Sequence, residues 1–470
     1  MGLHATRVRV GSRFTVNAVS RWASLSITCL ALACGSSDST PETAVGPSIT
    51  PARPAPPAPS PSPSQPVLPN GVYAVDGLDT ELPVGDLDRA FASFGNPDVI
   101  AFGETVHTSE GYAQARGRML RYLVEHRGVR AIGFEAPWRD VDVARAYVER
   151  GVGTLNDAIV GLSFRAWMSR GTVTFIEWLR TYNQAHPSDM AAVFGFDVQD
   201  PSSSAAYVRA VFAKALPSEN ALVHTLDICI GARFDKLYDA FNDPVDGAIL
   251  KLEANETSDR YAACIQATEN VRTFMNANEA SIVAASSSEE FELARFGVRS
   301  LAANEGEYFY FNQPRESYEA RDLGMADGVD VMRAVHAPGK RVALVAHNDH
   351  IMRARDELVI NAGDYEWKSM GSWLGERLGD AYAPVGLFAR RVEYNWDGSG
   401  VAELPLRDGP NDIERPLHDL GVPYLFVNLA DNAVYDPSKS YAITEAETGK
   451  PARHFRGIFF LEHSPPFQAP

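Results

Sequence analysis

The chain has 470 residues, of which 45% are hydrophobic and 10% aromatic, a composition typical of a globular protein with sizeable cores. Its formal net charge is -17 and its sequence pI is about 5.1. Because binding to a phosphate backbone relies on clustered Lys and Arg, this acidic balance argues against a nucleic-acid partner.

The first 34 residues have the pattern of a bacterial export signal. Four arginines and no acid precede a short apolar run at 22–33, which ends in small residues directly before Cys34. A run of this length predicts a cleaved signal peptide and not a spanning helix. The letters L-A-L-A-C resemble a lipobox, whose cysteine becomes the lipidated first residue of the mature protein, although Ala31 stands where Leu is commonest. We therefore expect a lipid on Cys34, with ordinary signal cleavage after Ala33 as the alternative.

Residues 35–69 are rich in Pro, Ser, Thr and Ala and contain almost nothing to bury. Such a composition predicts a stiff, extended linker. A linker directly after a lipidated cysteine would hold an exported domain off a membrane. The expected location is therefore the bacterial cell envelope, with the membrane bound through the N-terminal lipid.

Four cysteines occur in the whole chain. Cys29 would leave with the signal peptide and Cys34 would carry the lipid, so Cys229 and Cys264 remain. In an exported protein two remaining cysteines are more often bridged than catalytic, so a disulfide between them is expected. Neither has the spacing of a zinc ligand.

Four short apolar runs alternate with amphipathic stretches. The runs are 98–103, 130–134, 190–196 and 341–346, and the amphipathic stretches lie near 109–126, 141–149, 173–186, 203–216 and 317–336. Continuous apolar strands separated by helices predict an α/β fold, with a mostly parallel central sheet and helices on both faces.

Two regions depart from this alternation. Residues 217–314 are helical in pattern, and we expect a helical insertion that roofs a cleft. From about residue 366 a smaller α+β part follows, with strands expected at 384–390, 424–428 and 455–461. The predicted organisation is a signal peptide at 1–34, a linker at 35–69, an α/β domain at 70–216 and 315–470, and the insertion at 217–314.

Charged or titratable residues follow each of the four apolar runs. They are Glu104, His107, Glu135, Asp197, His347 and His350. In open α/β sheets ligands bind outside the carboxyl ends of the strands, so these side chains are expected to converge on one crevice. The alternative is that they only cap helices or begin turns.

Arg116 lies within the apolar stripe of the helix predicted at 109–126, whereas Arg118 and Arg121 fall on the opposite face and are expected to be exposed. A buried guanidinium needs an anionic or carbonyl partner. Two roles are open for Arg116: a structural salt bridge to Glu104 or Glu135, or direct binding of the substrate or its oxyanion.

Asp322 lies on the apolar stripe of the helix predicted at 317–336, together with Tyr318, Met325, Val329 and Met332. A carboxylate in this position is more often one that orients a reactive group than one that reacts. We expect Asp322, like Asp197, to support the residues of the crevice.

Five short blocks together resemble the erythromycin esterase family. They are G-E-T-V-H at 103–107, Arg116, F-E at 134–135, R-D-L-G-M-A at 321–326 and V-A-H-N-D-H at 345–350. The likeness covers most of the chain from about residue 70. It implies hydrolysis of an ester or lactone, such as the lactone of a macrolide, by water that a histidine activates without a metal or other cofactor. Carried over, His107 would be the general base, and the site would be completed by Glu104, Arg116, Glu135, His347 and His350.

This chemistry is also coherent from the residue types. A neutral imidazole, with a usual pKa near about 6.5, accepts a proton from water, and a carboxylate such as Glu104 or Glu135 fixes its tautomer. Arg116 and a second histidine would stabilise the oxyanion. No G-x-S-x-G motif is present to indicate a serine esterase.

Two other functions remain open from the sequence. Glu104, His107, His347 and His350 are all metal-ligand types and would suit a Zn- or Mn-dependent hydrolase. The same crevice would also suit a lipoprotein that binds a small molecule without catalysis.

Overall fold

The computed structural model describes residues 67–230, 254–310, 313–360, 366–396 and 400–467. The predicted signal peptide, Cys34 and nearly all of the predicted linker lie outside the described residues. No helix in the described part of the chain is long and apolar enough to cross a membrane.

A central sheet of nine strands organises the described residues. Its order is β1-β9-β12-β7-β2-β5-β3-β4, with β8 paired to β7, and β6, β10 and β11 form a separate small sheet. The strands are β1 (Val72–Ala74), β2 (Val99–Phe102), β3 (Val129–Pro137), β4 (Ala192–Asp197), β5 (Arg341–Val345), β6 (Val359–Ile360), β7 (Tyr382–Tyr394), β8 (Ala402–Glu403), β9 (Tyr424–Asn428), β10 (Tyr441–Ala442), β11 (Glu447–Gly449) and β12 (Gly457–Ser464).

The middle of this sheet is parallel. The pairs β12–β7, β7–β2, β2–β5, β5–β3 and β3–β4 all run in the same direction. Strands β2 to β5 coincide with the four predicted apolar runs and are almost wholly buried, as parallel strands covered on both faces must be. The predicted α/β fold class is confirmed.

Helices cover both faces of the sheet. They are α1 (Gly85–Ala92), α2 (Glu110–His126), α3 (Asp142–Arg150), α4 (Leu155–Val160), α5 (Arg170–Ala185), α6 (Pro201–Ala215), α7 (Asn220–His224), α8 (Ala254–Ala277), α9 (Glu279–Ala285), α10 (Ser288–Phe309), α11 (Pro314–His336), α12 (Asn348–Ile351), α13 (Met370–Leu378), α14 (Arg415–His418) and α15 (Pro451–His454). One apolar core lies beneath α1, α2 and α5, and a second lies beneath α11 and α13.

The region predicted as an insertion shares a third apolar core with α6. Residues of α6, α8 and α10 pack there around a disulfide between Cys229 and Cys264, whose Cα atoms are 5.1 Å apart. The bridge joins a short 3-10 helix (Thr225–Cys229) to α8. Helix α10 also packs against the central domain, because its Leu293 and Phe296 belong to the core beneath α11.

Two expectations about exposed and buried helix faces are wrong. Arg118 is 1% exposed, because Asp86 of α1 binds its guanidinium at 2.5 and 2.9 Å and the carbonyl of Gly77 accepts a third hydrogen bond. Tyr318, expected on the apolar stripe of α11, is 42% exposed and stacks on Trp367. In both cases the side chain contacts a residue of another element, Asp86 or Trp367, and the apolar period of the helix carries no information about such a contact.

Candidate active site

The carboxyl ends of β2, β3, β4 and β5 meet at one edge of the sheet and bring together the residues that follow or end them. Glu104 comes two residues after β2, Glu135 lies near the end of β3, Asp197 ends β4 and His347 comes two residues after β5. The backbone N–H of His347 donates to Glu135 at 2.9 Å. The structure therefore brings these side chains together at one edge of the sheet, as expected.

The loop that carries Glu104 and His107 depends on a very close contact. A Cβ atom on Gly103 would lie 1.9 Å from Oδ1 of Asn348, so only glycine fits beside this side chain. The Asn348 amide in turn pairs with both the N–H and the carbonyl of Leu387 on β7. Asn348, to which the sequence analysis gave no role, thus joins the loops after β2 and β5 to the neighbouring strand.

Thr108, directly after His107, has a φ of +62°, a left-handed conformation that is uncommon for a β-branched residue. Its carbonyl accepts hydrogen bonds from the N–H groups of Asn395 and Phe467, each at 3.2 Å. The conformation of the loop is therefore held from two distant parts of the chain.

Glu104 connects His107 to Arg116. Its Oε1 lies 2.7 Å from Nδ1 of His107, and its Oε2 lies 2.7 Å from Nη1 of Arg116. Since a carboxylate only accepts, Nδ1 carries the proton and Nε2 of His107 is left unprotonated in the neutral ring. Arg116 has the ion pair to Glu104 that was one of its two expected roles, and its guanidinium also lies 5.1 Å from the ring of Trp167.

Three rings surround His107. Those of Trp167, His347 and Trp396 lie at centroid distances of 6.1, 5.4 and 5.9 Å. Trp167 is buried and donates its indole N–H to the carbonyl of Glu135, whereas Trp396 is 53% exposed. His107 therefore lies between a buried aromatic ring, Trp167, and a solvent-exposed one, Trp396.

Glu135 is buried at the place where the pairing of β3 with β4 shifts register. Such an irregularity redirects a side chain. Burial alone would raise the pKa of this carboxyl, but interactions with His350, His107 and Arg321 lower the pKa to about 2. Glu135 is consequently an anion throughout the physiological range.

His347 begins the short helix α12 and is half-buried. Its Nε2 donates to the carbonyl of Thr105 at 2.9 Å, and its Nδ1 lies 3.4 Å from Oδ2 of Asp349. Burial opposes protonation, yet the carboxylates of Asp349, Glu135 and Glu104 raise the pKa of His347 to about 9. This shift favours the protonated ring near neutral pH, whereas the 3.3 Å contact of Nδ1 with the backbone N–H of Asp349 requires the neutral ring.

His350 and Asp322 form a second histidine–carboxylate pair. Nδ1 of His350 lies 2.9 and 3.1 Å from the two carboxylate oxygens of Asp322, which also accepts the backbone N–H of Met370 at 2.7 Å. Nε2 of His350 lies 3.4 Å from Oε1 of Glu135. Burial of His350 works against its charge, but Asp322 and Glu135 raise its pKa.

Arg321 is the residue at the centre of this network that sequence reasoning missed. Its guanidinium donates to Asp197 at 2.6 and 3.2 Å and to Glu135 at 3.0 Å, and it lies 3.3 Å from Nε2 of His350. Asp197 is therefore engaged by Arg321 and does not merely end a strand. The position of Arg321 in the helix could have indicated this role, since residue 321 falls on the same face of α11 as Asp322 and Met325.

The described residues contain no group of three or more His, Cys, Asp or Glu side chains arranged to hold a metal ion. Three ligand-type nitrogens of the site already have other partners: Nδ1 of His107 contacts Glu104, Nδ1 of His350 contacts Asp322 and Nε2 of His347 contacts a backbone carbonyl. Two guanidinium groups lie among them. Both add positive charge where a cation would have to bind.

The fold and this site define an α/β protein with two histidine–carboxylate pairs at the carboxyl ends of its parallel strands, a class of site suited to moving protons. A family model described as Erythromycin esterase matches residues 124–460, and the chain belongs to this family. The match begins after Glu104, His107 and Arg116, so these three residues are placed in the site by the geometry given above.

A curated relative is YbfO of Bacillus subtilis (strain 168), which is named as a candidate hydrolase. It is 20% identical over 300 residues, which are 62% of this chain and 64% of the relative. The match thus spans slightly less than two thirds of the relative's own length.

Three solved structures have the same fold. A protein of Bacillus cereus has a TM-score of 0.67 at 15% identity, over 85% of this chain and 97% of that one. A succinoglycan biosynthesis protein has a TM-score of 0.65 at 15% identity, over 85% and 96%. A histidine-to-asparagine variant of the erythromycin esterase EreC in its open conformation has a TM-score of 0.65 at 16% identity, over 84% and 98%.

Proposed function

We propose that the protein is a hydrolase that cleaves an ester or lactone with water activated by His107, without a metal ion. The observation that carries the proposal is the 2.7 Å contact between Nδ1 of His107 and Oε1 of Glu104. It leaves Nε2 as the basic nitrogen, and the described residues supply that atom with no partner. A basic nitrogen beside a crevice is what activation of water requires.

In the proposed reaction Nε2 of His107 takes a proton from water while the water oxygen adds to the carbonyl carbon of the ester. The resulting tetrahedral oxyanion collapses, the carbon–oxygen bond to the alcohol breaks, and the alcohol oxygen takes the proton back from His107. The Glu104 carboxylate stabilises the imidazolium that exists between these steps. Arg116 holds that carboxylate in place.

His347 would stabilise the oxyanion through the charge of its protonated ring, which lies 5.4 Å from the ring of His107 and which its raised pKa favours. His350 would help to position the ester, because Asp322 fixes its ring and Arg321 lies against its Nε2. Asp197 and Glu135 neutralise Arg321, so the network keeps the rings in place without a large excess of positive charge.

Membership of the erythromycin esterase family and the hydrolase named as a relative both support hydrolysis. The esterase EreC has the same fold, which makes a macrolide lactone one candidate substrate among esters and lactones in general. The test is a panel of macrolides and simple esters, read by mass spectrometry for the addition of one water. No product from any of them would contradict the proposal, and loss of turnover on prolonged chelation would contradict its metal-free form.

We also propose that the protein is exported and held at a membrane by a lipid on Cys34. The support is the L-A-L-A-C motif followed by the Pro-rich linker at 35–69. Protein expressed in a bacterium with its signal should partition into detergent and carry lipid on Cys34. A soluble product that begins at an unmodified Cys34 would contradict this part of the proposal.

A further inference from the structure

Trp396 is a large aromatic side chain that is left open to solvent directly beside His107. It is 53% exposed, and its ring centroid lies 5.9 Å from that of His107 with 34° between the planes. Other large apolar side chains of the site, such as Trp167 and Trp367, are buried. An indole exposed at this place contributes little to the buried cores of the protein and leaves an apolar surface open for binding.

The backbone that carries Trp396 is tied to the site. Residue 395, one position past the end of β7, donates its backbone N–H to the carbonyl of Thr108 at 3.2 Å, so it is joined to the loop of His107. The carbonyl of Asn395 accepts a long hydrogen bond of 3.5 Å from Nε of Arg165. Arg165 in turn packs its guanidinium over Phe467 at 4.8 Å. The residue directly before Trp396 is thus held against the loop of His107.

The second tryptophan beside His107 is not open for such a role. The guanidinium of Arg116 lies over the ring of Trp167 at 5.1 Å, and the indole N–H of Trp167 is bound to the carbonyl of Glu135 at 2.7 Å. Trp367, whose ring lies 5.7 Å from that of His350, is buried as well. The exposed face of Trp396 is therefore where an apolar part of a substrate would find a partner while its carbonyl lies at His107.

We propose that Trp396 is a substrate-binding platform that stacks against a carbon ring of the substrate, so the preferred substrates are esters that carry such a ring near the scissile bond. This inference rests on the proposed esterase function and names its substrate class. An indole face stacks on aromatic rings and also packs against saturated ones by dispersion.

Two series of esters test the proposal. In the first, ethyl, 2-cyclohexylethyl and 2-phenylethyl acetate place the ring on the alcohol side while the acidity of the leaving alcohol changes little. In the second, ethyl acetate, ethyl 3-cyclohexylpropanoate and ethyl 3-phenylpropanoate place it on the acyl side. The saturated and aromatic members show which kind of ring is bound.

In at least one series the wild type should favour the ring-bearing ester over ethyl acetate in kcat/KM. Trp396→Ala should reduce that ratio by roughly 5- to 20-fold, mainly through KM, and Trp396→Phe should retain part of the preference. The matched control is Val152→Ala, since Val152 is 57% exposed just past the end of α3 that points away from the crevice. It should leave the ratio as in the wild type.

Binding of amide analogues, which replace the ester oxygen by N–H, separates this inference from the esterase proposal. Calorimetry or ligand-observed NMR should show N-(2-phenylethyl)acetamide or N-ethyl-3-phenylpropanamide binding more tightly than N-ethylacetamide, with the difference lost in Trp396→Ala. If the ring-bearing amides bind more tightly in this way and no ester is cleaved, the role of Trp396 in binding is supported and the proposed ester hydrolysis is contradicted. If no ring-bearing amide is preferred, or if Trp396→Ala leaves the ratios unchanged, the platform is refuted whatever the enzyme hydrolyses.

Discussion

Nδ1 of His107 lies 2.7 Å from one carboxylate oxygen of Glu104, while the other oxygen of the same carboxylate lies 2.7 Å from Nη1 of Arg116. Glu104 and Arg116 are 1% and 3% exposed, so the three groups form a chain from the crevice into the protein. Such an arrangement fixes both the tautomer and the orientation of a general base. Removal of His107 leaves Glu104 paired with Arg116 but takes the donor from its other oxygen, so the folding of such a variant has to be measured.

His107→Ala should lower kcat by about 10²-fold to 10⁴-fold, the usual contribution of a general base, with a smaller change in KM. The reason is that water would then lack the basic nitrogen that accepts its proton. Steady-state kinetics on the best ester of the panel measures this, with circular dichroism to show that the variant folds. A folded variant with wild-type kcat would remove His107 from the mechanism.

His350→Asn should cost less activity and less stability than His350→Ala. The amide nitrogen of Asn occupies about the place of Nδ1 and can still donate to Asp322, whereas Ala leaves that buried carboxylate short of a donor. A loss of this kind costs on the order of 1–3 kcal/mol in stability. Comparison of kcat and of urea unfolding for the two variants provides the check. Equal losses in both would mean that the contact to Asp322 has no such role.

The activity should also fall as the pH rises through about 9, where His347 loses its charge. The positive ring is present below this value and absent above it, so stabilisation of the oxyanion by His347 is confined to the lower range. Asp349→Asn removes the nearest carboxylate, 3.4 Å away, and should move this alkaline limit to lower pH. Profiles of kcat between pH 7 and 10.5 test it, with the exposed Asp88→Asn on α1 as the control. An unshifted limit in Asp349→Asn would assign the titration to another group.

Much of the crevice could be predicted from the sequence because its main residues follow buried apolar runs. The run before Glu104 is wholly buried in β2, and the run before His347 is almost wholly buried in β5, so the edge of the sheet on which these residues lie follows from strand direction alone. Glu135 is a partial exception, because β3 continues beyond it to Pro137.

The partners of Arg321 and Arg118, unlike that of Arg116, could not be predicted in this way. Arg321 reaches Asp197 and Glu135, which lie 124 and 186 residues away along the chain, and Arg118 reaches Asp86 in a different helix. A periodic pattern indicates which face of a helix is apolar and says nothing about a carboxylate that another element brings to the opposite face. The same reason explains why Arg118 was expected in solvent and is buried.

Removal of the disulfide by Cys229→Ala with Cys264→Ala should destabilise the protein by about 3–4 kcal/mol, because the bridge closes a loop of 35 residues and restricts the unfolded chain. Urea unfolding of the double variant measures the effect. The wild type should also show no free thiol at these positions when denatured without reductant. Two titratable thiols in that experiment would contradict the bridge.

The last prediction concerns the buried carboxyl of Glu307, near the end of α10. Its Oε1 accepts a hydrogen bond from Gln199 at 2.7 Å, whereas its Oε2 has no hydrogen-bond partner within the described residues. Burial raises the pKa to about 7, although Arg321 lies 3.9 Å away and favours the charged form. Asp197 and Asp322, which also face this region, raise the pKa further.

The sign of the effect on stability follows from the two pKa values of Glu307. Between its ordinary value of 4.5 and about 7 the native protein keeps a proton that the unfolded chain has lost, so the free energy of unfolding must fall as the pH rises through this window. The full effect would be on the order of 3 kcal/mol. Glu307→Gln cannot ionise and should flatten this dependence, so its stability relative to the wild type should be greater at pH 8 than at pH 5. Urea unfolding at both values tests this, with the exposed Glu81→Gln as the control. A wild-type pH dependence in Glu307→Gln would show that this carboxyl does not titrate in that window.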